Sequence, residues 1–166
     1  IEQGPVLEHA RVPIGVVTGI QGVRWYRVQA FGQAAHAGTT PLELRRDAYR
    51  ALNDVAHDAF LLAEQIPELR LTIGTVEVSP GSINTIPGSA SLTIDARHPD
   101  AAVLDRCDAL LQRFSDTPCH GCRIQFTRSM AMATTHFDDA VKSSIREAAS
   151  RLDLASMDML SGAFHD

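Results

Sequence analysis

The residues best placed to do chemistry lie in one short loop around His36. The loop is Phe31-Gly-Gln-Ala-Ala-His-Ala-Gly-Thr-Thr-Pro41, in which a single imidazole is flanked by residues too small to cover it. A β-rich run precedes it, and Thr40-Pro41-Leu42-Glu43 has the N-cap, first-turn proline and capping-box glutamate of a helix start. A strand-to-helix loop of this kind presents an accessible imidazole at a fixed place. We therefore predict a catalytic or substrate-binding role for His36, with a solvated or locally capping histidine as the alternative.

Composition and charge limit the classes of function. The chain has 166 residues, a net charge of −5 and no basic run, which argues against binding to nucleic acid or to an anionic membrane surface. No apolar stretch approaches the roughly 20 residues of a transmembrane helix. Three cysteines, an odd number, argue against a disulfide framework and predict a reducing, cytoplasmic compartment.

Hydrophobic periodicity predicts the elements that position the loop. Strands are predicted at residues 12–20, 23–30, 69–78, 90–97, 123–130 and 156–160, and helices at 41–66, 99–114 and 138–152. The apolar face of the first helix comprises Leu44, Ala48, Leu52, Val55, Ala59, Leu62 and Ile66. The candidate core residues of the 69–78 strand are Leu71, Ile73, Val76 and Val78.

From Val23 to Met130 the predicted order is β-α-β-β-α-β. This is the order of a ferredoxin-like two-layer α+β sandwich, with four antiparallel strands and two helices on one face. Residues 1–20 and 131–166 fall outside this order, and they are too short to form a hydrophobic core by themselves. The acidic residues Asp105, Asp108, Asp138 and Asp139 are predicted to lie on solvated helix faces and at helix starts.

The segment Cys119-His-Gly-Cys122 has the C-x-x-C spacing that can bind metal or undergo redox cycling. There is no second C-x-x-C to complete a zinc site, so a structural loop is the favoured interpretation. The histidines without motif support are predicted to be surface residues: His9, His57, His98, His120 and His136.

Five motifs, in their order and spacing, resemble those of the M20-type metallohydrolases. They are Ile1-Glu-Gln-Gly-Pro-Val-Leu-Glu8, Ala35-His-Ala-Gly-Thr-Thr-Pro41 with Arg45-Arg-Asp-Ala48, Asn84-Thr-Ile-Pro-Gly88, Asp95-Ala-Arg97 and Ser161-Gly-Ala-Phe-His-Asp166. Within that family they look like the amidase branch, which comprises N-carbamoyl-L-amino-acid hydrolases, allantoate amidohydrolases and β-ureidopropionases. The resemblance extends over the whole chain.

The resemblance implies a two-metal α/β catalytic domain into which a smaller lid, or dimerisation domain, is inserted. Residues 21–130 would then be the lid, and residues 1–20 and 131–166 segments of the catalytic domain. The family's upstream metal ligands and general-base glutamate have no counterpart in this sequence. We therefore expect a fragment that does not assemble the two divalent ions, Zn²⁺ or Mn²⁺, by itself. A homodimer formed through the lid is also implied.

The same resemblance assigns roles to five residues. His36 matches a lid residue that donates to the oxyanion or clamps the substrate, and Asn84 and Arg97 match lid residues that bind the substrate's carboxylate. Gln3 is implied to contact substrate or order a ligand near the metal site, and His165 matches the last metal ligand.

The implied reaction is metal-dependent hydrolysis of a linear-amide C–N bond in an N-carbamoyl-L-amino acid or a related ureido acid. Allantoate amidohydrolase and M20 peptidase activities remain open, as does a dimerisation module without activity of its own. At the level of single residues, Asn84 could instead form an Asx turn and Arg97 a surface ion pair.

Overall fold

The computed structural model describes residues 4–163. The helices are α1 Val6–Ala10, α2 Ala48–Gln65, α3 Ala101–Asp116 and α4 Asp139–Arg151, with a 3-10 turn at Leu42–Leu44. The strands are β1 Ile14–Ile20, β2 Gly22–Phe31, β3 Ala35–His36, β4 Arg70–Ser79, β5 Thr85–Ile86, β6 Ser89–His98, β7 Arg123–Met132, β8 Thr135–His136 and β9 Ser156–Ser161. These elements form two compact units.

The larger unit, Val23–His98 with Ala102–Met132, contains the four-stranded sheet and helices α2 and α3. The sheet order is β4-β6-β2-β7, with antiparallel β4–β6 and β2–β7 pairs. Every second residue of β6 is buried, as expected for a strand with one face on a core. The core includes Tyr26, Val28, Ala30, Leu52, Val55, Leu92, Ile94, Leu104 and Leu111. The predicted α+β sandwich is confirmed.

The first long helix begins later than the sequence predicts. It starts at Ala48, where Asp47 is the N-cap and accepts hydrogen bonds from the backbone N–H groups of Tyr49 and Arg50. Residues 42–44 form only a 3-10 turn, and Leu44, predicted for the apolar face, is exposed. The Ala48 N–H donates to Pro87 O at 3.1 Å. The helix thus begins seven residues later than local capping signals predict, at a residue whose backbone N–H is bonded to the Asn84–Gly88 segment.

Strand β4 lies at one edge of the sheet, and its second half is not part of the core. Val76 and Val78 are 53% and 38% exposed, contrary to their predicted core positions. Their register partners on β6, Leu92 and Ala90, are buried. Strict alternation from Leu71 and Ile73 would turn these valines to the opposite face, but a register shift between Ile73 and Val76 pairs them with Leu92 and Ala90, and at this edge their side chains remain open to solvent.

Asp105 and Asp108 of α3 both form ion pairs; Asp105 is 68% exposed, as predicted for a solvated side chain, whereas Asp108 is only 28% exposed, contrary to that prediction. Asp108 Oδ2 accepts from Arg24 Nη1 at 2.6 Å and from Arg128 Nη1 at 2.7 Å, while Oδ1 accepts from the Tyr26 hydroxyl at 2.8 Å. Asp105 Oδ1 accepts from Arg24 Nη2 at 2.5 Å. Burial and the bond to Asp108 raise the pKa of Tyr26. Asp108 therefore ties α3 to strands β2 and β7.

The smaller unit comprises the described residues up to Gly22, Pro99–Ala101, and the described residues from Ala133 onward. Strand β1 lies between β8 and β9, antiparallel to the first and parallel to the second. Helix α4 packs on β1, and Asp138 caps its N-terminus, as predicted. Within residues 4–163, no helix is long and apolar enough to cross a membrane.

Candidate substrate-binding site

The His36 loop leaves the larger sheet at the end of β2 and forms a small sheet with the segment before β6. His36 and Ala35 on β3 pair antiparallel with Thr85 and Ile86 on β5. The Ala37 N–H donates to Asn84 O at 2.8 Å. The structure thereby brings the backbones of His36 and Asn84, two predicted site residues 48 positions apart, into adjacent positions.

The imidazole of His36 is exposed and held by its own loop. The Gly38 N–H donates to His36 Nδ1 at 3.1 Å, so in the neutral ring assigned from this bond the proton lies on Nε2. A Cβ at residue 38 would approach the His36 ring to 3.3 Å, closer than an ordinary contact, so glycine suits this position. The loop therefore presents an N–H donor to solvent, the group needed to stabilise a developing oxyanion.

Arg45 holds the turn that carries His36, a role that the sequence did not reveal. Its Nε donates to Thr40 O at 2.9 Å and its Nη2 to Ala37 O at 2.6 Å. The Thr40 N–H also donates to His36 O at 3.2 Å. The Arg45-Arg-Asp-Ala48 motif was the available signal, but which carbonyls the guanidinium reaches depends on the fold of the loop.

Asn84 is exposed and contributes to its local turn. Its Oδ1 accepts from Ser82 Oγ at 2.8 Å and from Thr85 Oγ1 at 3.4 Å. These are side-chain hydrogen bonds rather than the backbone hydrogen bond of the Asx turn considered above, but they still hold the amide oxygen within its own turn. Among the hydrogen bonds described within residues 4–163, none uses Asn84 Nδ2, so the amide N–H₂ can donate to a ligand.

Arg97 forms a bidentate ion pair within its own strand. Its Nε donates to Asp95 Oδ1 at 2.8 Å and its Nη2 to Asp95 Oδ2 at 2.6 Å. The hydrogen bond with Asp95 raises the pKa of Arg97. Both side chains are partly buried, at 23% and 31% exposure. Arg97 is therefore fixed and pre-oriented, and a substrate carboxylate would meet a guanidinium that is already paired with Asp95.

The structure separates Arg97 from the other two lid residues. The segments carrying His36 and Asn84 both lie where β2 and β4 end and β6 begins, as the Gly32–Gly88 and Gly88–Ser79 backbone bonds show. Arg97 lies eight residues along β6 from Ser89, which is on the order of 25 Å in an extended strand. The larger unit therefore presents two separate groups of predicted substrate contacts.

A family model described as a peptidase dimerisation domain, of M20 type, matches residues 18–121. The chain belongs to the M20 peptidase dimerisation-domain family. The chain is 31% identical over 172 residues to the N-carbamoyl-L-amino-acid amidohydrolase of Pseudomonas sp. (strain NS671), covering 100% of the chain and 41% of that protein. It is 34% identical over 169 residues to the allantoate amidohydrolase of Bacillus subtilis (strain 168), with the same coverage of both.

Solved structures agree with this family assignment. A hydantoinase/carbamoylase-family amidase from Burkholderia multivorans superposes with a TM-score of 0.90 at 40% identity, covering 99% of this chain and 41% of that one. The chain thus spans about 41% of the length of the relatives it matches.

The implied two-metal centre does not fit the described residues by themselves. The predicted ligand His165 and the predicted substrate contact Gln3 both lie outside the described residues. Within residues 4–163, the side chains with metal-ligand spacing are Asp54, Cys119 and His120. None of these three belongs to the five motifs that carry the family resemblance.

Proposed function

We propose that the protein containing this chain is a metal-dependent amidohydrolase. It cleaves a linear-amide C–N bond of an N-carbamoyl-L-amino acid or a related ureido acid, and this chain supplies the lid that clamps the substrate. The observation that carries the proposal is the exposed His36 imidazole, whose Nδ1 accepts from Gly38 N–H so that Nε2–H points outward. Relatives named N-carbamoyl-L-amino-acid and allantoate amidohydrolases support it.

In this proposal the lid residues act as hydrogen-bond donors. His36 Nε2–H donates to the oxygen that gains charge when the carbonyl is attacked, and Asn84 Nδ2 and the Arg97 guanidinium hold the substrate's carboxylate. In the complete protein two divalent ions, Zn²⁺ or Mn²⁺, with His165 as one predicted ligand, would supply Lewis-acid polarisation of the carbonyl and a metal-activated hydroxide. The smaller unit belongs, on this proposal, to the catalytic domain, with segments 1–20 and 131–166 flanking the lid at 21–130.

The separation of Arg97 from His36 and Asn84 supports a homodimer with shared sites. If Asn84 and Arg97 bind the same carboxylate, one chain cannot place both on it, because they lie at opposite ends of β6. A second copy can supply the missing group. The edge strand β4, with exposed Val76 and Val78, is the surface that we propose for lid–lid contact.

An ammonia-release assay tests the proposed activity. The complete protein, loaded with Zn²⁺ or Mn²⁺, is expected to release ammonia from N-carbamoyl-L-amino acids, while the 166-residue chain alone is expected to be inactive. Allantoate is assayed in parallel as the second candidate, because an allantoate amidohydrolase from Escherichia coli is 47% identical over 105 residues. Hydrolysis of dipeptides without ammonia release would instead assign a peptidase.

Subunit complementation tests the shared site. His36→Ala and Arg97→Ala proteins are each expected to be nearly inactive. After mixing with subunit exchange, roughly a quarter of the wild-type activity is expected, because half of the dimers are mixed and each mixed dimer has one intact site. The measurement is ammonia release before and after exchange.

The control for complementation is Val76→Lys, introduced into both chains. The charge is expected to weaken the proposed β4 contact and abolish the recovery, whereas Val141→Lys, at a similarly exposed valine on α4, is expected to preserve it. Exchange that yields mixed dimers without recovered activity would contradict a site shared between subunits.

The proposed compartment is the cytoplasm. All three cysteines, Cys107, Cys119 and Cys122, are free thiols, which suits a reducing environment.

A further inference from the structure

A two-residue turn before β7 directs His120 toward helix α2. Cys119 and Cys122 exchange both backbone hydrogen bonds, at 3.0 and 2.8 Å. The two residues between them, His120 and Gly121, have φ values of 50° and 70°, as in the tight hairpin turn that needs left-handed backbone at both positions. Glycine adopts this conformation freely, whereas histidine does so uncommonly. Despite this, His120 lies in the turn with its Nε2 2.8 Å from Asp54 Oδ2.

Three potential metal ligands converge at this turn. Asp54 Oδ2 also accepts a hydrogen bond from the Cys119 Sγ–H at 3.6 Å. One ligand atom from each of Asp54, Cys119 and His120 lies within 4.8 Å of the others. The carboxylate comes from a residue 65 positions away from Cys119, so sequence spacing gave no indication of this group.

The distances within the group are close to those of a tetrahedral zinc site. Bond lengths of about 2.3 Å to sulfur and about 2.1 Å to nitrogen and oxygen place S and O about 3.6 Å apart and N and O about 3.4 Å apart. The Cys119–Asp54 distance of 3.6 Å already matches. The His120–Asp54 distance of 2.8 Å is a hydrogen bond, which would lengthen by roughly half an ångström when a cation replaces the proton.

We propose that Asp54, Cys119 and His120, all in the larger unit, form a zinc-type divalent cation site. A three-ligand site leaves the fourth position for water. The cluster adjoins a surface groove lined by Asp54, His57, Asp58, Arg113, Phe114, Thr117, Pro118 and Cys119, which gives the cation a route in. In that groove Arg113 is paired with Asp58 at 2.5 Å, so its charge is balanced beside the site.

Cys122 does not belong to the site, which is therefore not a C-x-x-C chelate. It is fully buried, and its Sγ lies 3.7 Å from the His120 carbonyl oxygen. A redox role for the pair is disfavoured as well, because the reactive form of cysteine is the thiolate. Burial and Asp54 raise the pKa of Cys119 to about 11, and burial raises the pKa of Cys122.

The protonated thiol predicts the sign of the pH dependence. Since Cys119 must lose its proton to bind the cation, affinity is expected to rise by about tenfold per pH unit around neutrality, with one proton released. The charged and titratable groups near the thiol are Arg50, Asp54, His57 and Asp58 on α2, Arg113 on α3, and His120 and Cys122 in the turn.

The test uses the 166-residue chain under reducing conditions, with Zn²⁺ titrated calorimetrically and Co²⁺ as the spectroscopic probe. One Co²⁺ per chain is expected to give a thiolate-to-cobalt charge-transfer band, and Cys119→Ser is expected to remove that band. Asp54→Asn and His120→Gly are each expected to weaken Zn²⁺ binding by at least about tenfold. Loss of even an outer-shell partner of a metal ligand typically lowers metal affinity by about that factor, and a direct ligand should matter at least as much.

Two variants keep this test decisive. His120→Gly removes the imidazole while relieving the left-handed backbone, so its melting temperature without metal is expected to be unchanged or higher, and lost binding then reflects the lost ligand. His57→Gln alters a histidine in the same groove outside the cluster and is expected to keep wild-type affinity. A Co²⁺ complex without the thiolate band, or Zn²⁺ affinity within twofold of wild type in His120→Gly, would overturn the proposal. Because no readout is enzymatic activity, the result is independent of the proposed hydrolase function.

Discussion

Replacing His36 with alanine is expected to lower kcat of the metal-loaded protein by about 10²–10³-fold, the usual effect of removing one oxyanion donor. The physical reason is the outward Nε2–H, whose orientation follows from the Gly38 N–H bond to Nδ1. His36 is a lid residue, so the metal content is expected to stay unchanged. Steady-state ammonia release gives kcat, and elemental analysis gives the metal content.

Two further variants separate a donor role from a packing role. His36→Gln retains an N–H donor of similar reach, so its kcat is expected to lie between those of the wild type and His36→Ala. His57→Ala makes the same truncation at an exposed histidine on α2 and is expected to retain full activity. A His36→Ala protein with wild-type kcat would eliminate the oxyanion-donor role.

Replacing Asp108 with alanine is expected to lower the free energy of unfolding by about 2–4 kcal/mol. The change leaves the hydroxyl of Tyr26, a residue only 1% exposed, without its partner and removes an acceptor from Arg24 and Arg128. The measurement is the urea midpoint at constant slope, compared with wild type.

A double variant identifies the unpartnered hydroxyl as part of this cost. Asp108→Ala with Tyr26→Phe removes both members of the buried bond and is expected to be more stable than Asp108→Ala alone. Asp105→Ala removes the other acid that contacts Arg24, but its side chain is 68% exposed, so a loss below about 1 kcal/mol is expected. Equal losses for Asp105→Ala and Asp108→Ala would show that burial at Asp108 does not matter.

The element order was readable from sequence because strands and helices bury one face with different periods. Helix boundaries were less predictable. Thr40-Pro41-Leu42-Glu43 has the residues of a helix start, yet α2 begins at Ala48. In the folded chain Arg45 binds the carbonyls of Thr40 and Ala37, and the Ala48 N–H binds Pro87 O. These contacts join segments distant in sequence, and local capping rules do not include them.

The predicted exposure of side chains was wrong where it depends on elements that are distant in sequence. A register shift between Ile73 and Val76, which alternation does not predict, pairs Val76 with Leu92, and only the order of strands shows that β4 is an edge. Similarly, Asp108 has the pattern of a solvated helix residue, and the packing of α3 on β2 places it beside Arg24 and Tyr26. His98, predicted at the surface, is only 8% exposed, because β6 places its ring beside the segment that follows α2, with Nε2 3.2 Å from Pro67 O.

The sequence by itself determined the β-α-β-β-α-β order, the family, and the candidate residues His36, Asn84 and Arg97, because these depend on local pattern and residue type. The tertiary structure decided which of them lie together. Strand pairing places His36 beside Asn84 and leaves Arg97 at the far end of β6. The same folding brings Asp54 to Cys119 and His120. Proximity between distant positions arises from packing, which no local spacing encodes.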